Sequence, residues 1–290
     1  KEAWFTEQLI KSRVFHRKLN EWRVIEIANE IKKINGEKYS WKLEELNISE
    51  EAWNKIIHHG IKPVEVFAHP KILVENPQRV SYYRMLSMVS QKSMNKIGLP
   101  TKCYENGKRT LDYRKALEIA RHLNKIISEL ITEDKEINPR EFDLWRGMAA
   151  GSQAQGSWQN EKGAEAARLV HKILKARILK TKCGKFIDKE EHECLLDDGR
   201  KLIFSSEPDV GIYDDSGKIL IAVEIKGGID TAGVLERFGA ALKSLRRAKR
   251  KNVKCVTVLI LPKVAMTPTF LNEIEKTKEV LDYYFTLDEI

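Results

Sequence analysis

Apolar residues in the first half of the chain recur at intervals of three and four, the spacing that buries one face of an α-helix. Ser49 is a residue type that suits a helix N-cap, and glycines mark several helix ends. The predicted helices run over 5–33, from Ser49 to Gly60, from Pro77 to Gly98, over 111–131 and over a short stretch after Pro139. Tyr82, Tyr83 and Arg84 lie within the third of these, where aromatic residues at helical spacing indicate packing.

A change in composition follows at residues 147–158, GMAAGSQAQGSW. Small and polar residues predict a linker or a loop that approaches a ligand. We therefore place a boundary here, between a helical region over 1–146 and a second region over 147–290. Gln153 and Gln155 have side chains able to read base edges or hold phosphates. The alternative is a plain linker.

The second region alternates between helical and strand patterns. Asp214 to Gly217 has the composition of a hairpin turn, and the apolar run before Lys226 is typical of a central strand. Helices are predicted over 161–179, 231–251 and 267–280, and strands over 200–204, 209–213, 218–226 and 254–261, with a short strand at the end. Three strands in a meander, followed by a helical crossover, imply an α/β (α+β) fold with a mixed sheet and helices on both faces.

Charged residues end the predicted central strand. Side chains alternate along a strand, so Glu224 and Lys226 share one face, about 7 Å apart, while Ile219, Ile221, Val223 and Ile225 share the other. The hairpin folds Asp209 back beside Glu224. A structural ion pair at a solvated strand end is the alternative, but a charged pair that terminates a buried strand is costly without a partner.

Two converging carboxylates are oxygen ligands suited to Mg²⁺. A metal held by Asp209 and Glu224 could polarise a phosphate and activate water, and Lys226 could orient that water or stabilise the transition state. Gly227 and Gly228 follow at once, and without side chains they would allow a phosphodiester backbone to come close. The pattern therefore fits a metal site that acts on a phosphate.

The chain carries a formal charge of +9, which favours a polyanionic partner. The charge is concentrated in KSLRRAKRKNVK, where seven of twelve residues are basic and none is acidic. On a helix anchored by Leu242 and Leu245, the residues expected to project outward are Lys243, Arg246, Arg247 and Arg250. Contact with DNA phosphates and a merely solvated helix face both fit this pattern.

The cysteines lack a closely spaced pair, which favours a reducing, cytoplasmic setting. Cys183, His192 and Cys194 lack the spacing and the fourth ligand of a structural zinc site. No stretch approaches eighteen apolar residues, so we expect no membrane span. The first ten residues also lack the apolar core of a signal peptide.

Pro208-Asp209, fourteen residues and then Glu224-Ile225-Lys226 match the PD-(D/E)xK nuclease signature. The resemblance implies a restriction-endonuclease-like αβββαβ core, here from Glu161 to Leu261, and Mg²⁺-dependent cleavage through the residues named above. Many such enzymes also carry a glutamate on the preceding helix, where this chain offers Glu165. Glu165, Leu169 and Ile173 fall at steps of four, so the Glu165 carboxylate lies in line with a predicted buried stripe. The alternative is that Glu165 lies at the edge of this stripe with its carboxylate in water.

Over a wider span the chain resembles type II restriction endonucleases, most of all the XcyI group. Two stretches carry this likeness: VFAHPKILVENPQRVSYYRMLSMVSQKSM and VEIKGGIDTAGVLERFGAALKSLRRAKRK. It implies a prokaryotic, cytoplasmic enzyme that cuts double-stranded DNA at a GC-rich palindromic hexamer. It also makes the helical region integral to the enzyme.

One set of site residues cuts one strand, so we expect a homodimer on a twofold-symmetric target. The helical region would then serve DNA binding or dimerisation. The alternatives are another PD-(D/E)xK nuclease, such as a junction resolvase or a transposon or repair endonuclease, and a DNA-binding protein that does not cut.

Overall fold

A computed structural model describes residues 2–133, 136–227 and 234–290 of the chain. It divides into two compact units, Lys1–Trp158 and Gln159–Ile290. The division falls inside one long helix, later in the chain than the boundary expected at residue 147. Gly228 and the predicted start of a helix at Thr231 lie outside the described residues.

The first unit is helical, as predicted. Its elements are α1 (Glu2–Glu21), α2 (Val24–Lys32), α3 (Glu50–His58), α4 (Pro63–Val66), α5 (Pro70–Glu75), α6 (Val80–Leu86), α7 (Gln91–Lys96), α8 (Lys102–Glu105), α9 (Tyr113–Glu133) and α10 (Pro139–Thr181), which continues into the second unit. Ser49 caps α3 by accepting a hydrogen bond from the Ala52 amide.

Two helices predicted as continuous are each broken in two. The first breaks at Arg23 and the second at Met88, and both residues have left-handed backbone conformations, with φ of 52° and 54°. Neither break is marked by glycine or proline, the residues that usually signal one. The hydrophobic pattern therefore could not predict these breaks, each of which depends on one residue with a left-handed backbone conformation.

The core of the first unit surrounds Phe67, Leu73 and Ile119, which are fully buried. Tyr82, Tyr83 and Arg84 are buried too, which confirms their assignment to packing. Arg84 binds both carboxylate oxygens of Glu105, at 2.6 and 2.9 Å, and donates to the Gln153 amide oxygen at 2.8 Å. The buried charge is therefore paired on several sides.

The prediction of a linker or loop at residues 147–158 is wrong, because this segment is helical and lies within α10. Arg146, Ala150 and Ala154 are buried at steps of four, so the segment has a packed face. Alanine is a strong helix former but a small apolar residue. A buried stripe of alanines therefore gave little hydrophobic signal, and the glycines between them were interpreted as helix breakers.

The second unit is built on one sheet of β1 (Gly184–Phe186), β2 (Glu193–Leu196), β3 (Lys201–Phe204), β4 (Val210–Tyr213), β5 (Ile219–Ile225), β6 (Val256–Leu261) and β7 (Tyr283–Thr286), in that spatial order. Neighbours from β1 to β5 are antiparallel, and β5, β6 and β7 are parallel. The remaining helices are α11 (Val234–Lys251) and α12 (Pro268–Glu275). The predicted mixed sheet is confirmed, and β1 and β2 are additional.

Each face of the sheet is covered by a separate apolar layer. On one face Ala222 packs with Ala241 and Leu245 of α11. On the other, Val210 and Ile225 pack with residues of α10. The prediction of helices on both faces is confirmed. The ends of β4 and β5 lie between the two apolar layers.

One expected side-chain direction is wrong. Ile219 belongs to the α11 layer, whereas Val223 and Ile225 belong to the α10 layer. The register between β4 and β5 shifts at Tyr213, which pairs with Ile219 although Ile212 pairs with Ile221. The extra residue, Leu220, forms a bulge that turns Ile219 to the opposite face.

Candidate active site

Asp209, Glu224 and Lys226 come together at the ends of β4 and β5. Val210 pairs with Val223, so Asp209 lies opposite Glu224 in the same register. The Lys226 ammonium lies 2.6 Å from Glu224 Oε2 and 3.6 Å from Asp209 Oδ2. The structure thus brings the three residues of the sequence motif into one cluster.

The Asp209 carboxylate is held by the neighbouring strand. Its Oδ2 accepts a hydrogen bond of 2.7 Å from the Ile225 amide. The backbone before it is fixed by Ser205, which donates through its hydroxyl to the Pro208 carbonyl at 2.6 Å and through its amide to the Asp209 carbonyl at 3.1 Å. Both the hydrogen bond and the ion pair of Asp209 use Oδ2, which leaves Oδ1 to face other groups.

Glu224 is the most confined group of the site, with a side chain only 4% exposed. Burial raises its pKa above the usual value of 4.5, and the nearby Asp209 charge adds to this, while Lys226 and Ser244 act in the opposite direction. Its Oε1 is buried without a hydrogen-bond partner among the described residues. A buried carboxylate oxygen that lacks a donor is costly unless something else binds it.

These donors fit a hard divalent cation. Asp209 and Glu224 supply carboxylate oxygens to one place, and the unpartnered Oε1 is an available ligand atom. Mg²⁺ commonly binds to one or two carboxylates and takes its other ligands from water and substrate phosphate. The residues present therefore match the metal that the sequence suggested.

Gly227 follows the site at a point of very close packing. A Cβ at this position would lie 2.5 Å from the Lys162 carbonyl oxygen and 2.5 Å from the Ala166 Cβ, both on α10. Only glycine allows this approach without displacement. The glycine thus joins the end of the site strand to α10, and the access for DNA that the sequence suggested stays a prediction.

Glu165 does not lie on the buried stripe of α10. The buried residues of this segment are Ala166, Val170 and Ile178, whereas Leu169 is 45% exposed. Glu165 is also exposed, and no hydrogen bond or ion pair joins its side chain to another described residue. The buried stripe lies one position later than the sequence indicated, because alanine again contributes little to the hydrophobic pattern, and Glu165 takes the alternative position, in water. Its catalytic role stays a prediction.

The basic helix face is exposed as predicted. Leu242 and Leu245 are buried, and the exposed cations are Lys243, Arg246, Arg247 and Arg250. We call these four residues the basic stripe. Arg247 is paired with Glu207 at 2.6 Å. Beside it lies a groove of about 350 Å³ whose lining includes Pro208, Ser244, Arg247 and Arg250, so the stripe adjoins the residue that precedes Asp209.

Gln153 and Gln155 lie on α10 in the first unit, both partly buried. The Gln153 amide oxygen is engaged with Arg84. Contact of these glutamines with DNA stays a prediction, on a helix and not on a loop.

Two polar residues near the site were missed from the sequence. Ser244 lies close enough to Glu224 to lower its pKa, and Arg237 lines a small cavity together with Lys226. Arg237, Ala241, Ser244 and Ala248 follow one another at helical steps. A polar residue on the buried face of a helix is the signal that could have found both.

A separate cluster of possible metal ligands is formed by Asp188, Glu190 and His192, between β1 and β2. Asp188 accepts hydrogen bonds from the amides of His192 and Glu193, at 2.9 and 2.7 Å. The turn therefore explains the position of Asp188 without an ion. Of the residues considered earlier for zinc, His192 lies beside these carboxylates, whereas Cys194 is buried.

The antiparallel meander, the parallel crossover and the Asp–Glu–Lys cluster at the strand ends are the arrangement that the resemblance to PD-(D/E)xK endonucleases implied. The sequence model of the XcyI restriction endonuclease family matches residues 23–269, most of both units, and the chain belongs to that family.

Two curated proteins are similar to it. The type II restriction enzyme Cfr9I of Citrobacter freundii is 24% identical over 234 residues, which are 72% of this chain and 67% of that protein. The type II restriction enzyme XcyI of Xanthomonas campestris pv. cyanopsidis is 23% identical over 228 residues, 73% of this chain and 68% of that protein. The protein is a site-specific endonuclease that acts on DNA, and its family is typically metal-dependent. Among its described residues, no helix is long and apolar enough to cross a membrane.

Proposed function

We propose that Asp209, Glu224 and Lys226 form the active site and that it hydrolyses DNA phosphodiesters with Mg²⁺. The observation that carries this proposal is the buried Glu224 Oε1, which has no hydrogen-bond partner among the described residues while Lys226 binds the other oxygen. Folding has left a charged ligand atom unsatisfied beside a second carboxylate. A divalent cation would satisfy both.

Asp209 and Glu224 would hold the Mg²⁺, which supplies Lewis acidity toward a phosphate oxygen and lowers the pKa of a bound water. Asp209 is prepared for this role, since the Ile225 amide fixes Oδ2 and leaves Oδ1 available. Glu224 is prepared by its position on a central strand between two neighbours. Neither carboxylate has to be ordered when the ligand arrives, which lowers the cost of binding.

Lys226 is placed to act on the reacting groups. Its side chain is 28% exposed and its ammonium reaches both carboxylates, so in the absence of ligand it offsets part of their negative charge. During hydrolysis the water oxygen bonds to phosphorus, one ester oxygen leaves with the bonding pair, and a proton passes from the water to solvent while the leaving oxygen gains one. Lys226 can orient the water or stabilise the added charge on the phosphate.

The basic stripe is proposed to hold the DNA backbone near this site. All of its cations are exposed, and the groove beside it includes Pro208, next to Asp209. Contacts of this kind supply affinity without sequence information. Base reading would then come from other residues, for which Gln153 and Gln155 are the candidates from the first unit.

A double-strand cut at a specific site requires two active sites on antiparallel strands. One chain carries one set of Asp209, Glu224 and Lys226, so we propose a homodimer whose twofold axis matches that of a palindromic target. The helical unit is the proposed source of the dimer surface. A GC-rich hexamer is the target expected from the resemblance to the XcyI group.

The experiment is digestion of a sequenced plasmid by the purified protein, with Mg²⁺ and with EDTA, beside the Lys226→Ala variant. The proposal expects discrete fragments with Mg²⁺ alone, ends that map to one symmetric site, and no fragments from Lys226→Ala. A wild type that cuts in EDTA would contradict the metal. A Lys226→Ala variant that cuts normally would contradict the site.

A further inference from the structure

Arg237 occupies an unusual position for a cation. It lies in the first turn of α11, one residue before Phe238, which is buried and packs edge-on against Phe270 at 5.0 Å. At helical steps it aligns with Ala241 and Ser244, both buried. Arg237 therefore belongs to the face of α11 that meets the sheet, and not to the basic stripe.

A small cavity separates Arg237 from the site lysine. Its charged lining is Lys226 and Arg237, and its apolar walls include Phe238, Leu259 and Phe270. The volume is about 20 Å³, which is enough for one water molecule or one oxygen atom of similar size. No acidic residue is among the described residues that line it.

The guanidinium of Arg237 is incompletely satisfied. Its Nη1 is buried and has no hydrogen-bond partner among the described residues. A buried donor on a charged group costs more when unpaired than a neutral one does. Arg237 and Lys226 thus line one small cavity, and the buried Nη1 donor of Arg237 is available to an oxygen that enters it.

We infer that Arg237 is a further catalytic residue, which donates a hydrogen bond to a non-bridging oxygen of the scissile phosphate. The inference rests on the proposed function of Asp209, Glu224 and Lys226. Lys226 and Arg237, which line one cavity, would then both act on this phosphate, and Asp209 and Glu224 would hold the metal that polarises it. Arginine suits this task because it keeps its charge and matches phosphate geometry.

The competing explanation is that Arg237 only fills space with its aliphatic stem. Arg237→Met separates the two roles, because methionine keeps an unbranched apolar stem and loses the charge. Arg237→Lys keeps the charge without the planar donor group. Lys276→Ala is the matched control, since it removes an exposed cation of the same unit, 68% exposed and paired with Glu273.

The measurements are the single-turnover cleavage rate with Mg²⁺, and the salt dependence of duplex binding without metal. For Arg237→Met we expect a rate loss of about 100-fold or more, the effect of removing one donor to a developing oxyanion. The slope of log K against log salt should decrease by about one. Arg237→Lys should retain an intermediate rate, and Lys276→Ala should match the wild type in rate.

An Arg237→Met variant that cuts at the wild-type rate would overturn the inference. If that variant melts below the assay temperature, Arg237→Lys decides the question. A wild-type cleavage rate for Arg237→Lys would then overturn the inference. If the wild type does not cut with Mg²⁺, the proposed function fails by itself. Arg237 is then judged on the salt slope of Arg237→Met, and an unchanged slope counts against it.

Discussion

The Ile225 amide donates a 2.7 Å hydrogen bond to the Asp209 carboxylate. Ile225 lies between Glu224 and Lys226, so the backbone of the second part of the motif positions the side chain of the first. A displacement of β5 would therefore move all three groups together. The geometry of the site depends on the pairing of β4 with β5 more than on any one side-chain contact.

The first prediction concerns the two carboxylates. Asp209→Ala and Glu224→Ala should each lower the cleavage rate by a factor on the order of 1,000 or more, because each removes a proposed metal ligand. Duplex binding should persist, since phosphate contacts lie elsewhere. Rates come from quenched-flow cleavage and affinities from fluorescence anisotropy. Glu190→Ala serves as the control in the Asp188 cluster, and near-normal cleavage by either site variant would show that the metal is held elsewhere.

The second prediction concerns stability and pH in metal-free protein. Burial raises the pKa of Glu224 above 4.5, so the unfolded chain releases this proton at lower pH than the folded chain. Stability is therefore lost as pH rises from 4.5 through the folded pKa. Glu224→Gln stays neutral and should raise the melting temperature at pH 7.5, but much less at pH 4.

Thermal melts in EDTA at the two pH values test this. Glu279→Gln, at an exposed position, controls for the loss of one negative charge. A Glu224→Gln protein that melts at or below the wild-type temperature at pH 7.5 would show that Lys226 fully compensates the buried charge.

The third prediction concerns the basic stripe. Replacing Arg246, Arg247 and Arg250 with alanine should weaken binding to every duplex and lower the salt slope by about one for each lost phosphate contact. Arg247 should contribute least, because Glu207 already binds it. Replacing Lys276 and Lys278 controls for net charge, since both are exposed and paired with glutamates. Equal slopes for stripe and control variants would place the DNA elsewhere.

The fourth prediction concerns Gly227. An alanine here would place its Cβ 2.5 Å from the Lys162 carbonyl oxygen, and overpacking of this kind costs about 1–3 kcal/mol. Gly239→Ala is the matched control, because a Cβ there meets nothing within 4 Å and alanine favours a helix by about 1 kcal/mol. In urea unfolding, the free energy of unfolding should fall for Gly227→Ala and rise for Gly239→Ala. A Gly227→Ala protein as stable as the wild type would mean that α10 shifts freely.

The fifth prediction concerns the oligomer. Two cuts on antiparallel strands require two sets of site residues, so sedimentation on a cognate duplex should give two chains per target. Mapped ends should be related by a twofold axis. One chain per duplex, or an asymmetric target, would contradict the homodimer.

The sequence was sufficient to predict that Asp209, Glu224 and Lys226 lie together, because strand alternation and a short hairpin determine their positions. It was insufficient where packing uses small residues. Residues 147–158 read as a loop, and Glu165 as part of a stripe, because buried alanines carry little hydrophobic signal. Backbone reversals at Arg23 and Met88 had no residue signature. Arg237 and Ser244 escaped notice because their importance comes from what the opposite strand places against them.

Helix α11 connects two of these features in a single rigid body. Arg237, in its first turn, lines the small cavity together with Lys226, and Arg250 lies near its last residue among the exposed cations. At 1.5 Å per residue they are about 20 Å apart along the helix axis, a length on the order of six base pairs of duplex DNA. Because one helix carries both, the fold fixes the spacing between Arg237 and the proposed DNA contacts of the basic stripe.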